Sequence, residues 1–351
     1  MESFILRPYQ VKGAAWLASR HFAILGDATG LGKTPQAITA CLTVRQRDPR
    51  ARILYIAPAS TLPGLVREWA TWAPAESVAV LSARPGSKPM PPVAGPCVCL
   101  IAWSSLHPRR KELAAGADWT VVIMDEAHKA KTPTAKQTKA ALGYWGTKAG
   151  QWVRHPGLLH GARHRWALTA TPVPNRPIEL QPLLHLAGGY AWASRSAYGD
   201  AYCRRKNEWA PLGYDYNGAC RLEELHRRLA AAGCILRRTP EDVPGELPTL
   251  TTTVCPLAGV REPVSGRGLD PDALVAVLDG AAPGPLGIRM EEWSAYRAEM
   301  GVAKIPAVRA WVEDWLEGRD ALRLVLFCWH REVAAGLACA LELYAPLVAT
   351  G

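Results

Sequence analysis

Five short apolar runs punctuate the first half of the chain, at 22–25, 53–57, 98–102, 120–124 and 166–169. Each is nearly continuous, without the alternation of polar positions that marks a strand with one wet face. Between them, 34–44, 62–72 and 134–142 read as helices. Buried strands separated by helices predict a parallel sheet covered on both faces, an α/β fold. Ligands of such sheets sit beyond the carboxyl ends of the strands, so the chemistry is expected in the segments that follow the runs.

The rhythm breaks at 143–165, which reads as an inserted loop. It carries Lys148, Arg154, His155, His160, Arg163, His164 and Arg165, and suits either a solvated insertion or a nucleic-acid-facing one. The stretch 188–248 reads as mostly helical, and the Pro- and Gly-rich 256–287 as a linker. Beyond it, Ile305, Val308, Val312, Trp315 and Leu316 fall near helical spacing. The run 322–327 predicts a strand, 333–343 a helix, and a further strand is expected to begin at Leu347. The expected domains are therefore an α/β lobe over 1–190, a helical insertion and linker over 191–300, and a second α/β unit opened at 301–351.

Composition narrows the class. A chain of 351 residues accommodates two compact domains, and 49% hydrophobic with 21% charged residues is globular rather than disordered. No apolar run approaches the ~20 residues of a membrane span. Glu2 stands where a signal peptide carries basic residues, so an intracellular protein without a membrane partner is expected. The nine cysteines are scattered without a CxxC pair and read as reduced thiols. A net charge of +10 favours a polyanionic partner, although an Arg-rich composition alone also produces such an excess.

The strongest chemical signal is Gly26-Asp27-Ala28-Thr29-Gly30-Leu31-Gly32-Lys33-Thr34, between a strand and a helix. Such a turn aims successive backbone N–H groups and a helix N-terminus at a phosphate. Lys33 then neutralises the β- and γ-phosphates and the Thr34 hydroxyl sits on Mg²⁺. Asp27 occupies the place of the general pattern's first glycine. The run 121–124 leads into Asp125 and Glu126, carboxylates whose burial is costly without a cation. Asp125 suits the metal and Glu126 the attacking water. Lys33 is expected to face this pair across neighbouring strand tips. Thr169 and Thr171 place hydroxyls at a further strand end.

The ordered set Leu6–Gln10, Gly30–Thr34, Asp125-Glu126-Ala127-His128 and Leu168–Asn175 resembles superfamily-two helicases, and within them the Swi/Snf-type ATPases. An acid at Asp27 is a match to that branch. Residues 56–69 resemble its DNA-backbone segment, while 198–203, 218–229 and 235–250 are similar to the fork-remodelling, annealing-helicase subgroup. Residues 300–316 and 322–330 resemble the entry into a second RecA-like lobe.

The resemblance implies a RecA-like fold, ATP and Mg²⁺ as cofactors, and an ATP-driven translocase on duplex or branched DNA. Gln10 would read adenine with Arg7 nearby. Asp27, Gly30, Gly32, Lys33 and Thr34 would form the nucleotide site, and Thr34 and Asp125 would serve Mg²⁺. His128, Thr169 and Thr171 would couple nucleotide to track, and Pro58, Ala59, Ser60, Trp103 and Ser104 would line the DNA. Arg237 and Arg238 belong to the family's helical region. Its late arginine motifs fall past Gly351, so a fragment is expected. Two alternatives stand beside the motor: an RNA helicase, and a nucleotide- and DNA-binding module without turnover.

Overall fold

The computed structural model of the chain describes residues 5–81, 95–115, 118–148, 151–187, 194–211, 213–247, 251–257, 259–260, 290–317 and 323–349. It separates into two compact units, Met1–Thr249 and Leu250–Gly351.

The first unit is the expected α/β fold. Helix α1 (Pro8–Ala18) precedes β1 (Phe22–Leu25), α2 (Lys33–Arg47), β2 (Arg52–Ala57), α3 (Leu62–Trp72) and β3 (Val78–Leu81). Then come β4 (Cys97–Ala102), α4 (Trp103–Ala115), β5 (Val121–Asp125) and α5 (Lys136–Leu142). Strands β6 (Gly143–Lys148) and β7 (Gln151–Pro156) precede β8 (His164–Leu168). A short helix α6 (Gln181–Leu184) and α7 (Arg195–Tyr202) lead into β9 (Arg205–Lys206) and β10 (Tyr214–Asp215). Helix α8 (Leu222–Ala231) and strand β11 (Ile235–Leu236) complete the unit.

Seven strands form one sheet in the order β11-β1-β8-β5-β2-β4-β3. Every pairing in it is parallel. Alternate strand residues serve opposite cores. On one face Leu25, Ile53, Tyr55, Ile123 and Trp166 pack with Leu17, Ile38, Val44 and Trp69 from α1, α2 and α3. On the other, Ile24, Leu54, Ile101, Val122 and Met124 pack with Leu106, Leu113, Tyr198 and Leu225 from α4, α7 and α8. Both faces are dry, which is why the strands read as unbroken apolar runs.

Two expectations for this unit change. The inserted loop at 143–165 is in part a hairpin, with β6 and β7 pairing antiparallel. His164 and Arg165 already belong to β8, because their amides donate to the carbonyls of Thr120 and His21 at 2.9 and 2.8 Å. His164 is buried and its Nδ1 meets the Arg20 carbonyl at 2.8 Å, so it faces no outside partner, and burial lowers its pKa. The stretch 188–248 is only partly helical, since β9 and β10 make a second hairpin and β11 joins the main sheet; 188–193, 212 and 248 lie outside the described residues. The linker assigned to 256–287 lies almost wholly outside them too.

The second unit contains helices α9 (Met290–Ala303), α10 (Ile305–Leu316) and α11 (Arg331–Ala340). Val312, Val333, Leu337 and Leu341 are buried among its described residues, whereas Ile305, Val308, Trp315 and Leu316 of the expected stripe are half-buried. Of the strands expected at 322–327 and from Leu347, the described residues 323–327 and 347–349 form none. Residues 323–328 and 345–349 have no ladder partner among the described residues, and Phe327 is 95% exposed. Apolar residues create a demand for burial, but only a neighbouring backbone makes a strand.

Because Ile123 sits at 0% exposure on the central strand, Ile123→Ala is expected to destabilise the first unit by roughly 2–5 kcal/mol. Denaturant unfolding checks this, and a loss under about 1 kcal/mol would contradict the close-packed sheet.

Candidate nucleotide site

The loop after β1 is shaped on both sides. Gly26 N donates to Leu236 O at 2.7 Å and Ala28 N to Arg238 O at 2.9 Å, extending the β1–β11 pairing into the loop. Gly30 (φ 87°) and Gly32 (φ 69°) adopt left-handed backbone conformations that favour glycine. Between them Leu31 turns inward and packs with Tyr9 and Val243. No side chain caps the N-terminus of α2, so its first N–H groups are available to an anion. Pro35, early in α2, lacks a proton that the helix would not have used.

The Lys33 ammonium lies back on its own loop, donating to the carbonyls of Asp27 at 2.8 Å and Ala28 at 3.2 Å. Burial lowers its pKa, while the charges of Glu126, Asp27 and Asp125 oppose that shift. An ammonium near three carboxylates and held only by neutral carbonyls is well placed to receive phosphate oxygens.

The acids stand at the end of β5. Glu126 has φ 49°, left-handed in a non-glycine residue, a conformation that costs of order 1–3 kcal/mol and concentrates at functional sites. The Glu126 amide donates to Asp125 Oδ1 at 2.9 Å, and the Tyr55 hydroxyl to Asp125 Oδ2 at 3.4 Å. That hydroxyl also bonds the Thr34 side chain, so Thr34, Tyr55 and Asp125 form one connected set. Burial pushes the Asp125 carboxyl up to about 6, and the charge of Glu126 adds to the rise. A carboxylate so short of compensating charge gains from a cation, and beside the Thr34 hydroxyl this donor set suits magnesium.

Between loop and acids lies the tip of β8. His128 Nδ1 is 3.2 Å from Glu126 Oε2 and 3.2 Å from Thr169 Oγ1. Thr169 is buried, and its Oγ1 accepts from the Thr171 amide at 3.1 Å. Strands β1 and β5 are therefore not neighbours, contrary to expectation; β8 separates them, and its short hydroxyl residues leave the acids within electrostatic reach of Lys33.

Other expected site residues land differently. Gln10 is buried within α1, where its Oε1 accepts from Arg7 N at 2.9 Å and its Nε2 donates to Leu31 O at 3.3 Å. Its amide is thus tied to the glycine turn after β1. The partly exposed Arg7 guanidinium pairs with Glu246 at 2.7 Å. Asp27, expected among the nucleotide-binding residues, is fully buried and bonded to Arg238 and Gln36. It shapes the loop from within. Trp103, expected on the DNA track, is buried, and its indole N–H donates to the Asp125 carbonyl at 2.8 Å. A large indole finds burial more favourable than exposure when its N–H has an acceptor. Ala59, Ser60 and Ser104 are exposed beyond β2 and β4, and Pro58 is half-buried.

Sequence reasoning missed Tyr55, Gln36 and Arg238. Tyr55 looked like any other residue of an apolar strand. Arg238 stood in a basic pair whose distance along the chain concealed its partner.

The family model of the SNF2-related domain matches residues 9–259, well over half of the chain, and the chain belongs to that family. It is 27% identical over 336 residues to the SWI/SNF-related matrix-associated actin-dependent regulator of chromatin subfamily A-like protein 1 of Xenopus tropicalis, covering 93% of this chain and 32% of that protein. The DNA annealing helicase and endonuclease ZRANB3 of Mus musculus is 24% identical over 342 residues, covering 93% and 29%. The chain spans about a third of the length of these curated relatives. Its fold is that of the Sulfolobus solfataricus SWI2/SNF2 ATPase core in complex with dsDNA, a RecA-like architecture. The TM-score is 0.55 at 19% identity, covering 98% of this chain and 71% of that one.

The raised Asp125 pKa is directly measurable. Its proton is held more tightly folded than unfolded, so the contribution to stability is present at low pH and lost as pH rises through about 6. A carboxyl-carbon NMR titration is expected to show a midpoint near 6, lowered in Glu126→Gln by removal of the neighbouring charge. An ordinary midpoint near 4 would contradict the burial described.

Proposed function

We propose that this chain is the ATP-binding part of a DNA-stimulated motor that hydrolyses ATP and moves along duplex DNA. The observation that carries the reading is the connected set at one rim of the sheet. Lys33 lies within electrostatic reach of Asp125 and Glu126, and Thr34 is linked to Asp125 through Tyr55.

In this reading the Lys33 ammonium exchanges the Asp27 and Ala28 carbonyls for phosphate oxygens. The uncapped N-terminus of α2 and the glycine turn add backbone N–H donors. Thr34 and Asp125 hold Mg²⁺, which supplies positive charge to the phosphates when bound. Glu126 orients the attacking water and takes its proton. His128, bonded to both Glu126 and Thr169, would sense that proton and pass the change to the β8 tip. Gln10 and Arg7 would border the base. Gly30 and Gly32 would shape the phosphate-binding turn, and Thr171 would join Thr169 in that coupling at the β8 tip.

For DNA, support comes from the net charge of +10 and from exposed Ala59, Ser60 and Ser104 at neighbouring strand ends. Small residues and hydroxyls there allow a phosphate backbone to approach without reading sequence. The Sulfolobus solfataricus core, similar in fold, is described in complex with dsDNA, and the Mus musculus relative is a DNA annealing helicase, which favours duplex or branched DNA over structured RNA. We further propose that 301–351 opens a second RecA-like lobe, with 191–300 as insertion and linker after a lobe at 1–190.

The second reading, a binding module without turnover, has its own discriminating measurement. Lys33→Ala is expected to weaken nucleotide binding at least ten-fold, because buried phosphate loses its positive partner. Glu126→Gln should retain nucleotide and abolish DNA-stimulated hydrolysis. Unchanged affinity in Lys33→Ala would remove the phosphate-loop assignment, and an unchanged rate in Glu126→Gln would leave the module. Competition between duplex DNA and structured RNA for binding separates motor tracks.

A further inference from the structure

Arg238 reaches the phosphate loop from 211 positions further along the chain. Its backbone N–H and Nε donate to Asp27 Oδ1 at 3.1 and 3.0 Å, and Nη2 meets Oδ2 at 2.5 Å. The same Nη2 donates to Gln36 Oε1 at 2.7 Å, and Nη1 to the Tyr9 carbonyl. The guanidinium also lies over the Tyr9 ring, 5.1 Å from its centroid. One side chain thus joins the loop through Asp27, the following helix through Gln36, and α1 through Tyr9. Glycine at position 13 leaves room for it; a Cβ there would stand 1.9 Å from Gln36 Oε1 and 2.6 Å from Arg238 Nη2.

Asp27 has 0% exposure. A carboxylate in that position is tolerated only while a charged, hydrogen-bonding partner is present. The loop conformation that buries Asp27 therefore depends on Arg238 being docked. Docking is a property of the segment that carries it: β11 adds to the sheet beside β1, and the carbonyls of Leu236 and Arg238 accept from Gly26 and Ala28. Further along, Val243 packs with Tyr9 and Leu31, and Glu246 pairs with Arg7. A Cβ at Gly30 would lie 3.5 Å from Leu247 Cδ2, so this segment also borders the exposed side of the turn.

We propose that Arg238 is a positioning residue for nucleotide binding, and that segment 235–247 holds loop 26–32 in its phosphate-binding shape from outside. The ligand class is a nucleoside di- or triphosphate, recognised through its terminal phosphates. This rests on the nucleotide-site reading above, and Arg238 acts through Asp27 rather than on phosphate.

The test uses the full chain and R238A, R238K, D27N and the double variant D27N/R238A. Each is titrated with fluorescent mant-ADP, with ADP and AMP as competitors, beside hydrogen exchange and thermal melting. R238A is expected to weaken ADP about ten-fold or more and AMP far less, so the ADP-to-AMP preference falls. R238K should be intermediate, because an ammonium keeps the charge without the fork. The double variant should bind no worse than R238A, and amides of 26–32 should exchange faster in R238A. Equal losses for ADP and AMP would show a merely structural role and overturn the proposal. So would an unchanged ADP affinity in R238A, or in both R238K and D27N should R238A fail to fold. Failure of the unaltered chain to bind ADP would reject the nucleotide reading itself, which is a different result.

Discussion

The structure depends on bringing one ammonium and two carboxylates to the same rim of a dry sheet without letting them neutralise one another. Lys33 rests on carbonyls, not on Asp125 or Glu126, although it feels the charge of both. Burial lowers the pKa of the lysine and raises that of Asp125, so each charged form is held at a cost in the free protein. Ligands that bring phosphate to the one and a cation to the other relieve both costs together. That complementarity suits the carboxyl ends of these strands to the nucleotide-binding role proposed above.

The surroundings keep the charges apart and aimed. Strand β8 stands between the loop and the acids, with Thr169 buried at its tip. Trp103 fixes the Asp125 carbonyl from one side while Tyr55 bridges Asp125 and Thr34 from the other. Glu126 takes a left-handed backbone conformation that a turn without function has little reason to retain. On the far side of the loop, the buried Asp27–Arg238 pair sets the shape from which Lys33 emerges. Membership in the SNF2-related family accords with this arrangement, since the matched residues 9–259 run from α1 beyond Arg238.

Local signals in the sequence determined a great deal. Unbroken apolar runs gave β1 its observed bounds and placed β2, β4, β5 and β8 to within two residues, and the helical pattern between them gave α3 its bounds. Such runs arise because both sheet faces are buried, a demand each strand carries in its own residues. The glycine turn with Lys33 and Thr34, and the acids ending β5, were equally legible, because backbone geometry and charge leave few substitutes at those places.

What only the tertiary structure decided involves partners distant in sequence. Whether Trp103 faces DNA or the core depends on the Asp125 carbonyl lying 22 positions away. Whether Asp27 meets phosphate or a guanidinium depends on Arg238, 211 positions on. The run 322–327 was apolar enough for a strand, yet 323–328 find no neighbouring backbone among the described residues. A residue's own chemistry states what it requires; which group satisfies the requirement is settled only when the chain returns on itself.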